Sequence, residues 1–447
     1  MSYLERKTGK ISRINSLPNY TAAGSYCFFS QCIQLNTLES KDFLSFIDIK
    51  KPYDEAYKDI IKFGPLLSHE VKHWYDAHST LWGLKLLKDI YCRRNDLYEA
   101  EMSGISTKLP HFFRQKELYD RIEYIKLPEY YSTVNSKANT TKPWKYEFSA
   151  GIMFSKCGKP SDRSVFFTRF TNADGELIAR VPFSLCSLLE SSAVAQELNG
   201  KVRAIAMLDD PVSKKIESNN LSKSITDELY NENLVEYSVV AHKISNSFNI
   251  SDVLESYNIA AKLTRLILNL TNDVIILLDP EAMLLPKFEA FVIPYKNALK
   301  HIDHGAIFSL FVDALDSQYQ SKGTQVSNEN LENLLDSMFK EYLGLSCMDI
   351  FEKSKVEVKN ICTPVIFDLS KEHLNSSLKL GQNLHKQLGL VGSHFINLDD
   401  NFIPDFMLGD GTLISQTKPE QKEFEDRYLQ LNEYFEYLSN FSKACIV

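Results

Sequence analysis

The sequence predicts an α+β protein, with a mixed α/β region over residues 1–235 and a mainly helical region over residues 236–447. Two patterns lead to this fold class. Between about residues 145 and 183, short apolar or alternating runs are separated by turn residues, which is typical of a small antiparallel sheet. Beyond about residue 236, apolar and polar positions follow the period of helices. The polar segment 209–234 is interpreted as a linker or as a surface loop.

The first elements are expected to be short strands followed by one long helix. The runs "SYCFFSQCIQL" and "DFLSFIDI" resemble strands and are separated by polar turns. The helix is expected to begin near Pro65, which suits a first helical turn, and to run to about Tyr91. Its apolar face consists of Val71, Trp74, Tyr75, His78, Leu81 and Trp82. A second face of the same helix carries His69, His73, Asp76 and Thr80.

The middle and the end of the chain alternate strands, helices and turns. One helix with surface loops is expected between about residues 95 and 145. Strands are expected at "YEFSAGIMFS", "SVFFTRF" and "LIARVPF", with an Asp174-Gly175 turn before the last, and a helix near Ser184. "MLGDGTLIS" is interpreted as a glycine turn. A C-terminal helix stripe is interpreted as core packing, with a partner surface as the alternative: Phe424, Tyr428, Leu431, Phe435 and Leu438.

The composition disfavours several classes of protein. With 44% hydrophobic and 24% charged residues, the 447-residue chain has an ordinary globular composition and enough length for a large core. A net charge of −8 argues against the basic stripe that nucleic-acid binding usually requires. Charged residues and three prolines interrupt the longest apolar stretch, residues 273–295, which is therefore expected to be protein core and not a membrane span.

The cysteines indicate a reducing compartment. Eight cysteines are scattered without a C-x-x-C pair, which favours reduced thiols and argues against cysteine-ligated zinc. The first residues contain no apolar core of a signal peptide. We therefore expect a cytoplasmic protein without a membrane partner. No feature of the sequence indicates an oligomeric state.

The segment "LLSHEVKHWYDAHST" carries the main functional signal. His69 and His73 are four residues apart, so on a helix their imidazoles project from one face, one turn apart. A catalytic zinc ion takes three protein ligands and keeps a fourth position open for water, and imidazole suits it well. Glu70 directly follows the first histidine and is positioned to act as general base towards that water. We therefore predict a Zn²⁺ cofactor with His69 and His73 as ligands.

The residues alone leave the third ligand open. A metzincin continues with a glycine and a third histidine, but Asp76 and Ser79 stand at those positions, so that class is excluded. His78 is rotated away from the ligand face and is interpreted as a packed histidine. A carboxylate on a second helix is the other known solution. The candidates are Glu99, Glu101, Glu190 and Glu197.

Three segments, "HEVKHWYDAHSTLWGL", "RVPFSLCSLLESSAVAQEL" and "VIILLDPEAMLLP", resemble a bacterial group of zinc metallopeptidases of the gluzincin type. In that group an H-E-x-x-H helix is paired with a downstream helix of the form Leu-Glu-x-x-Ala. The resemblance covers patches between about residues 60 and 290. It implies a zincin-like catalytic region with Glu190 as the third ligand and Glu70 as the base. Asp76, where the group commonly has an amide, is a candidate partner of a ligand histidine.

Two further expectations concern the chemistry and its alternatives. A donor that stabilises a developing oxyanion is expected, and His242 and Tyr257 are candidates, each with a buried structural role as the alternative. The first functional hypothesis is a zinc-dependent peptidase that acts on a protein or peptide substrate. The second is a non-enzymatic interaction protein in which the H-E-x-x-H helix is structural. Metal-dependent nucleic-acid processing is disfavoured by the charge and by the lack of paired acidic ligands.

Overall fold

A computed structural model of the chain describes residues 23–28, 31–48, 50–103, 109–123, 125–154, 158–362, 371–392, 395–397, 402–415, 426, 429 and 433–440. These residues form many helices and two small four-stranded sheets, so the expected mixture of helices and sheets is confirmed. The helices of the first half are Ser40–Phe46 (α1), Tyr53–Ser79 (α2), Leu81–Ser103 (α3), Leu109–Glu123 (α4), Leu185–Ala206 (α5) and Pro211–Leu229 (α6). Those of the second half are Val235–Phe248 (α7), Val253–Leu268 (α8), Asn272–Ile276 (α9), Pro280–Met283 (α10), Glu289–Lys300 (α11), His304–Lys322 (α12), Leu331–Leu343 (α13), Cys347–Lys359 (α14) and Lys371–Leu388 (α15). Short 3₁₀ turns occur at Glu129–Tyr131 and Pro286–Phe288, and residues 433–440 are helical.

One sheet joins segments from opposite ends of the sequence. It contains β1 (Gly24–Cys27), β2 (Cys32–Leu35), β7 (Phe406–Leu408) and β8 (Leu413–Ile414), in that order. β1 pairs antiparallel with β2, β2 pairs parallel with β7, and β7 pairs antiparallel with β8. The turn expected in "MLGDGTLIS" is confirmed, because Gly411 lies between β7 and β8 with a φ of 83°.

The strand expected at "DFLSFIDI" is wrong, because Ser40–Phe46 forms helix α1. A capping interaction at the N-terminus of α1 explains why this segment is helical. The backbone N–H of Glu39 donates to Asp42 Oδ2 over 2.9 Å, which is half of a capping box. Local capping therefore outweighs the strand propensity of the two phenylalanines.

The second sheet follows the expected strands. It has the order β3-β6-β5-β4, with β3 at Thr133–Val134, β6 at Leu177–Pro182, β5 at Pro160–Thr171 and β4 at Lys145–Phe154. Neighbouring strands are antiparallel throughout. The predicted turn before β6 is confirmed by Gly175, which has a φ of 84°. This sheet leads directly into the helix that begins after Ser184.

Helix α2 differs from its predicted bounds at both ends. It begins at Tyr53, twelve residues before the expected start, and it includes Pro65 in its interior. An interior proline removes one backbone hydrogen bond and its ring crowds the carbonyl of residue i−4, yet the 27-residue helix continues through Pro65. The helix ends at Ser79, because Thr80 is extended and its Oγ1 accepts a hydrogen bond from Gly83 N over 3.1 Å, at the start of α3. The single helix expected to run to Tyr91 is therefore two helices.

The linker or surface loop expected at 209–234 is wrong, because Pro211–Leu229 forms helix α6. The Asp210 side chain accepts hydrogen bonds from the backbone N–H groups of Val212 and Ser213, and Pro211 occupies the first turn. An aspartate followed by proline is a helix-start signal, which decides the structure of an otherwise polar segment.

The helix expected near Ser184 is confirmed as α5. Ser184 Oγ accepts a hydrogen bond from Ser187 N over 3.2 Å and so caps this helix. α5 packs against α2, α7 and α8 and lies in the centre of the molecule. The division of the chain at residue 235 stays a prediction. The main hydrophobic cluster contains residues from both sides of it, such as Leu188 and Leu263.

Three other expectations concern the whole chain. Across the described ranges, no helix combines the length and the apolar character that crossing a bilayer requires. None of the six cysteines within those ranges forms a disulfide: Cys27, Cys32, Cys92, Cys186, Cys347 and Cys362. Of the C-terminal stripe, Phe435 and Leu438 are buried in the main core as expected. Phe424, Tyr428 and Leu431 lie outside the described residues.

Candidate metal centre

Three side chains from two helices converge on one point. His69 and His73 lie on α2 and Glu190 lies on α5. One donor atom of each lies within 4.8 Å of the other two. Glu190 Oε2 is 3.4 Å from His69 Nε2 and 3.5 Å from His73 Nε2. The structure therefore brings together the two histidines of the H-E-x-x-H segment and one of the four candidate glutamates.

The local structure explains why these side chains meet. The four-residue spacing places both imidazoles on one face of α2, with ring centroids 5.0 Å apart. Small buried residues follow Glu190 on α5, as expected for a helix that approaches another closely. α5 and α2 remain neighbours at Gly200, where an added Cβ would make an ordinary contact of 3.6 Å with Ser68 Oγ.

The donor set fits a metal ion. Glu190 is 2% exposed, and its Oε2 atom is buried without a hydrogen-bond partner in the described part of the chain. The two imidazole Nε2 atoms, at 3.4 and 3.5 Å, are too far away for strong hydrogen bonds, so this buried carboxylate oxygen is incompletely satisfied. Two donors that bind the same ion at about 2.1 Å in tetrahedral geometry lie about 3.4 Å apart, which matches the distances from Glu190 Oε2 to the two imidazoles. Several divalent transition metals accept two imidazoles and one carboxylate.

The charges of the group are strongly coupled. Burial opposes the ionisation of Glu190, but the nearby imidazoles outweigh it and lower the pKa of this carboxyl to about 2. Burial likewise opposes protonation of His69, but the neighbouring carboxylates of Glu190 and Glu197 raise its pKa to about 10. A metal ion at this position must therefore compete with a proton for His69.

Glu197 holds the outer nitrogen of His69. Its Oε2 atom lies 3.3 Å from His69 Nδ1, and its Oε1 atom accepts a hydrogen bond from Lys201 Nζ over 2.6 Å. A proton on Nδ1 leaves Nε2 with its lone pair directed at the candidate metal position. The sequence made Glu197 a candidate ligand. In the structure it contacts the nitrogen of His69 that faces away from the candidate metal position.

Glu70 lies beside the ligand group and is 5% exposed. Burial raises its pKa to about 7, although the neighbouring histidines His69 and His73 act in the opposite direction. Its side chain contacts Gly24 of β1, since a Cβ built on that glycine would lie 2.7 Å from Glu70 Oε1. A buried carboxyl with a pKa near neutrality is well suited to accept a proton and release it again.

Tyr237, in the first turn of α7, is a neighbour of the site that sequence reasoning missed. The centroid of its ring lies 6.3 Å from that of His69. Ser191 Oγ donates to the carbonyl oxygen of Tyr237 over 3.1 Å and holds the start of α7 against α5. Burial, and then the charge of Glu190, raise the pKa of the Tyr237 phenol, so it stays a hydrogen-bond donor. With 22 tyrosines in the chain and no motif around this one, the sequence does not single it out.

The two oxyanion candidates from the sequence have structural roles. His242 Nε2 lies 3.0 Å from the carbonyl oxygen of Leu229, and its ring packs among Trp144 and other aromatic side chains. The hydroxyl of Tyr257 donates to the backbone carbonyl of Tyr237 over 3.3 Å. The buried structural role considered for each residue therefore applies.

The remaining candidates lie outside the ligand group. His78 is stacked on Trp74 with ring centroids 4.3 Å apart, so its interpretation as a packed histidine is confirmed. Asp76 forms an ion pair with Lys72, and no described hydrogen bond joins it to a ligand histidine, contrary to the expected role. Glu99 is exposed on α3. The side chain of Glu101 lies outside what the structure describes.

Comparisons with known proteins add no assignment. No protein-family model, no curated protein and no solved structure matches the chain. The interpretation of the site therefore rests on the geometry and chemistry of its own residues.

Proposed function

We propose that the chain is a zinc-dependent peptidase with a zincin-like catalytic region of the gluzincin type. One observation carries the proposal: His69, His73 and Glu190 converge on one point, with Glu70 buried next to them. Two histidines and a glutamate are a ligand set of catalytic zinc in peptidases, and it leaves a fourth position open. The H-E-x-x-H helix supplies the base together with two of the ligands.

The chain's own residues supply the remaining chemistry. A bound zinc ion acts as a Lewis acid that lowers the pKa of water and polarises a carbonyl group. The Glu70 carboxylate takes the proton from the attacking water and passes it to the leaving amine. The Tyr237 hydroxyl donates a hydrogen bond to the oxygen on which charge develops. Glu197 keeps the proton on His69 Nδ1.

Strand β1 supports a peptide as the substrate. Among the described strands it pairs only with β2, and its first residue, Gly24, lies against Glu70. A peptide added to the open edge of β1 would run alongside the strand whose first residue contacts Glu70. The net charge of −8 disfavours nucleic acid, and the cysteine pattern supports a cytoplasmic location for this activity.

Metal content and turnover together test the proposal. We expect about one zinc per chain in the wild type by plasma mass spectrometry, and its loss in His73→Ala and Glu190→Gln, with circular dichroism showing that both fold. Glu70→Gln should retain zinc but lose at least about 10²-fold in kcat on a fluorogenic peptide mixture. Glu99→Gln, the same exchange at an exposed position, should behave like the wild type.

Two results would contradict the proposed peptidase activity. One is a folded wild type that takes up no zinc after reconstitution. The other is a Glu70→Gln variant as active as the wild type. Zinc that is bound without any turnover, and whose removal by a chelator unfolds the chain, would favour the non-enzymatic alternative in which the helix is structural.

A further inference from the structure

Gly24 contacts the side chain of Glu70 from the neighbouring sheet. A Cβ atom built on Gly24 would lie 2.7 Å from Oε1, 2.9 Å from Cγ and 3.1 Å from Cδ of Glu70. Cβ atoms in proteins essentially never approach heavy atoms of residues distant in the chain to less than 3.0 Å. The side chain of Glu70 therefore occupies the space that any other residue at position 24 would fill.

The backbone conformation does not explain a glycine at this position. Gly175 and Gly411 have φ values of 84° and 83°, where a side chain is strained. Gly24 is not among the glycines with positive φ, and it lies in a regular antiparallel pairing opposite Leu35. The contact with Glu70, and not the backbone conformation, therefore explains why this position needs a residue without a side chain.

Neither element can move away easily to make room for a larger residue. β1 is held by its pairing with β2 and by Tyr26, which is 1% exposed in the main core. α2 is held next to Glu70 by Val71, which is fully buried. The Glu70 side chain has three rotatable bonds and is the part of this contact that moves most readily.

We propose that Gly24 is a positioning residue for Glu70. Because Gly24 has no side chain, the Glu70 carboxylate can occupy the space beside the proposed metal ligands. The inference rests on the proposed function, since it concerns the base of that reaction. A side chain at position 24 displaces the carboxylate and leaves His69, His73 and Glu190 in place, because the three atoms nearest to its Cβ all belong to Glu70. Gly24 therefore acts through Glu70.

The test is the Gly24→Ala variant of the full chain, loaded with zinc. We expect wild-type zinc content, a KM within about twofold of the wild type, and a kcat lower by about 10²-fold, as for a catalytic group misplaced by about 1 Å. Its crystal structure should show the Glu70 carboxylate displaced and the three ligands unmoved. Gly200→Ala is the matched control, because a Cβ there would lie 3.6 Å from Ser68 Oγ, an ordinary contact.

The outcomes separate this inference from the proposed function. A kcat unchanged in Gly24→Ala but abolished in Glu70→Gln would overturn the role of Gly24 and leave the peptidase standing. An inactive wild type would overturn the peptidase, while the position of Glu70 in the variant crystal structure would still decide whether Gly24 positions it. If Gly24→Ala does not fold, Gly24→Ala/Glu70→Ala should restore folding, because the clash is with the Glu70 side chain. Failure to restore it would overturn the inference.

Discussion

At the scale of single residues, the site depends on two glutamates that share one face of α5. Glu190 and Glu197 are seven residues apart, or about two helical turns, so both point towards α2. Glu190 meets both Nε2 atoms, whereas Glu197 meets the outer nitrogen of His69 and is itself held by Lys201. The two glutamates therefore have different roles. Glu190 lies on the Nε2 side of the imidazoles, and Glu197 lies on the Nδ1 side of His69.

Removing Glu197 should weaken metal binding without removing a ligand. We expect Glu197→Ala to lower zinc affinity by about 10- to 100-fold, because the Nδ1 proton of His69 loses its acceptor. The measurement is the zinc Kd from competition with a chromophoric chelator. Glu99→Ala, at an exposed position of α3, is the matched control. An unchanged Kd in Glu197→Ala would show that His69 needs no outer partner.

Tyr237 should affect turnover and not metal binding. We expect Tyr237→Phe to lower kcat by about 10²-fold while zinc content stays at the wild-type level, because only the donor to the developing oxyanion is lost. The matched control is Tyr57→Phe, whose hydroxyl lies 3.3 Å from Glu217 Oε2. A Tyr237→Phe variant with wild-type kcat would remove this residue from the mechanism.

At the scale of secondary-structure elements, the C-terminal end of α2, the helix that carries His69 and His73, is held by side chains distant in sequence. Arg265 of α8 donates to Ser79 Oγ over 3.0 Å, to the Ser79 carbonyl over 3.2 Å and to the Gly389 carbonyl over 3.1 Å. His385 of α15 lies with its Nδ1 atom 3.2 Å from the same Ser79 carbonyl. These bonds satisfy backbone groups that a helix end leaves without partners.

Loss of Arg265 should destabilise this junction strongly. We expect Arg265→Met to lower the free energy of unfolding by about 3 kcal/mol, because buried acceptors lose a charged donor. Urea unfolding followed by circular dichroism measures it. Arg169→Met, at a half-exposed residue of β5 paired with Glu147, should change the value by less than about 0.5 kcal/mol. Equal effects of the two substitutions would argue against a special role for the junction.

At the scale of the whole molecule, the core is continuous from one end of the sequence to the other. β7 joins β2 in one sheet, and one large cluster of buried residues includes side chains from most helices. Burial lowers the pKa of four histidines to about 4: His78, His242 and His385, which are buried in the core, and His304, which is partly exposed. The core therefore holds these imidazoles in the neutral form near pH 7.

The neutral histidines should make the fold sensitive to acid. Because the pKa of His242 is lower in the folded chain than its ordinary value of 6.5, the unfolded chain takes up the proton first as the pH falls. The stability that depends on neutral His242 is complete above about pH 6.5 and is lost towards about pH 4. From about pH 7.5 to about pH 5, the wild type should lose about 2 kcal/mol more stability than His242→Gln. Urea unfolding at both pH values measures the difference, and parallel losses would contradict it.

Several elements were predictable from the sequence because their signals are local. Ser184 caps a helix through its own neighbour Ser187, and the Asp174-Gly175 turn depends on adjacent residues. The errors have one local and one non-local cause. The helix start at Asp210-Pro211 is a local signal within a polar segment whose composition favours a loop. The end of α2 combines the local hydrogen bond from Gly83 N to Thr80 Oγ1 with contacts from α8 and α15, which no window around Thr80 contains.

For the site, the sequence by itself determined that His69 and His73 share a helix face with Glu70 beside them, because the helix period alone sets that arrangement. Only the tertiary structure decided that Glu190 lies next to both imidazoles, that Tyr237 lies beside His69 and that Gly24 contacts Glu70. The physical reason is that these contacts join a strand and three helices that are far apart in the sequence. Their distances follow from how the whole core packs, not from spacing along the sequence.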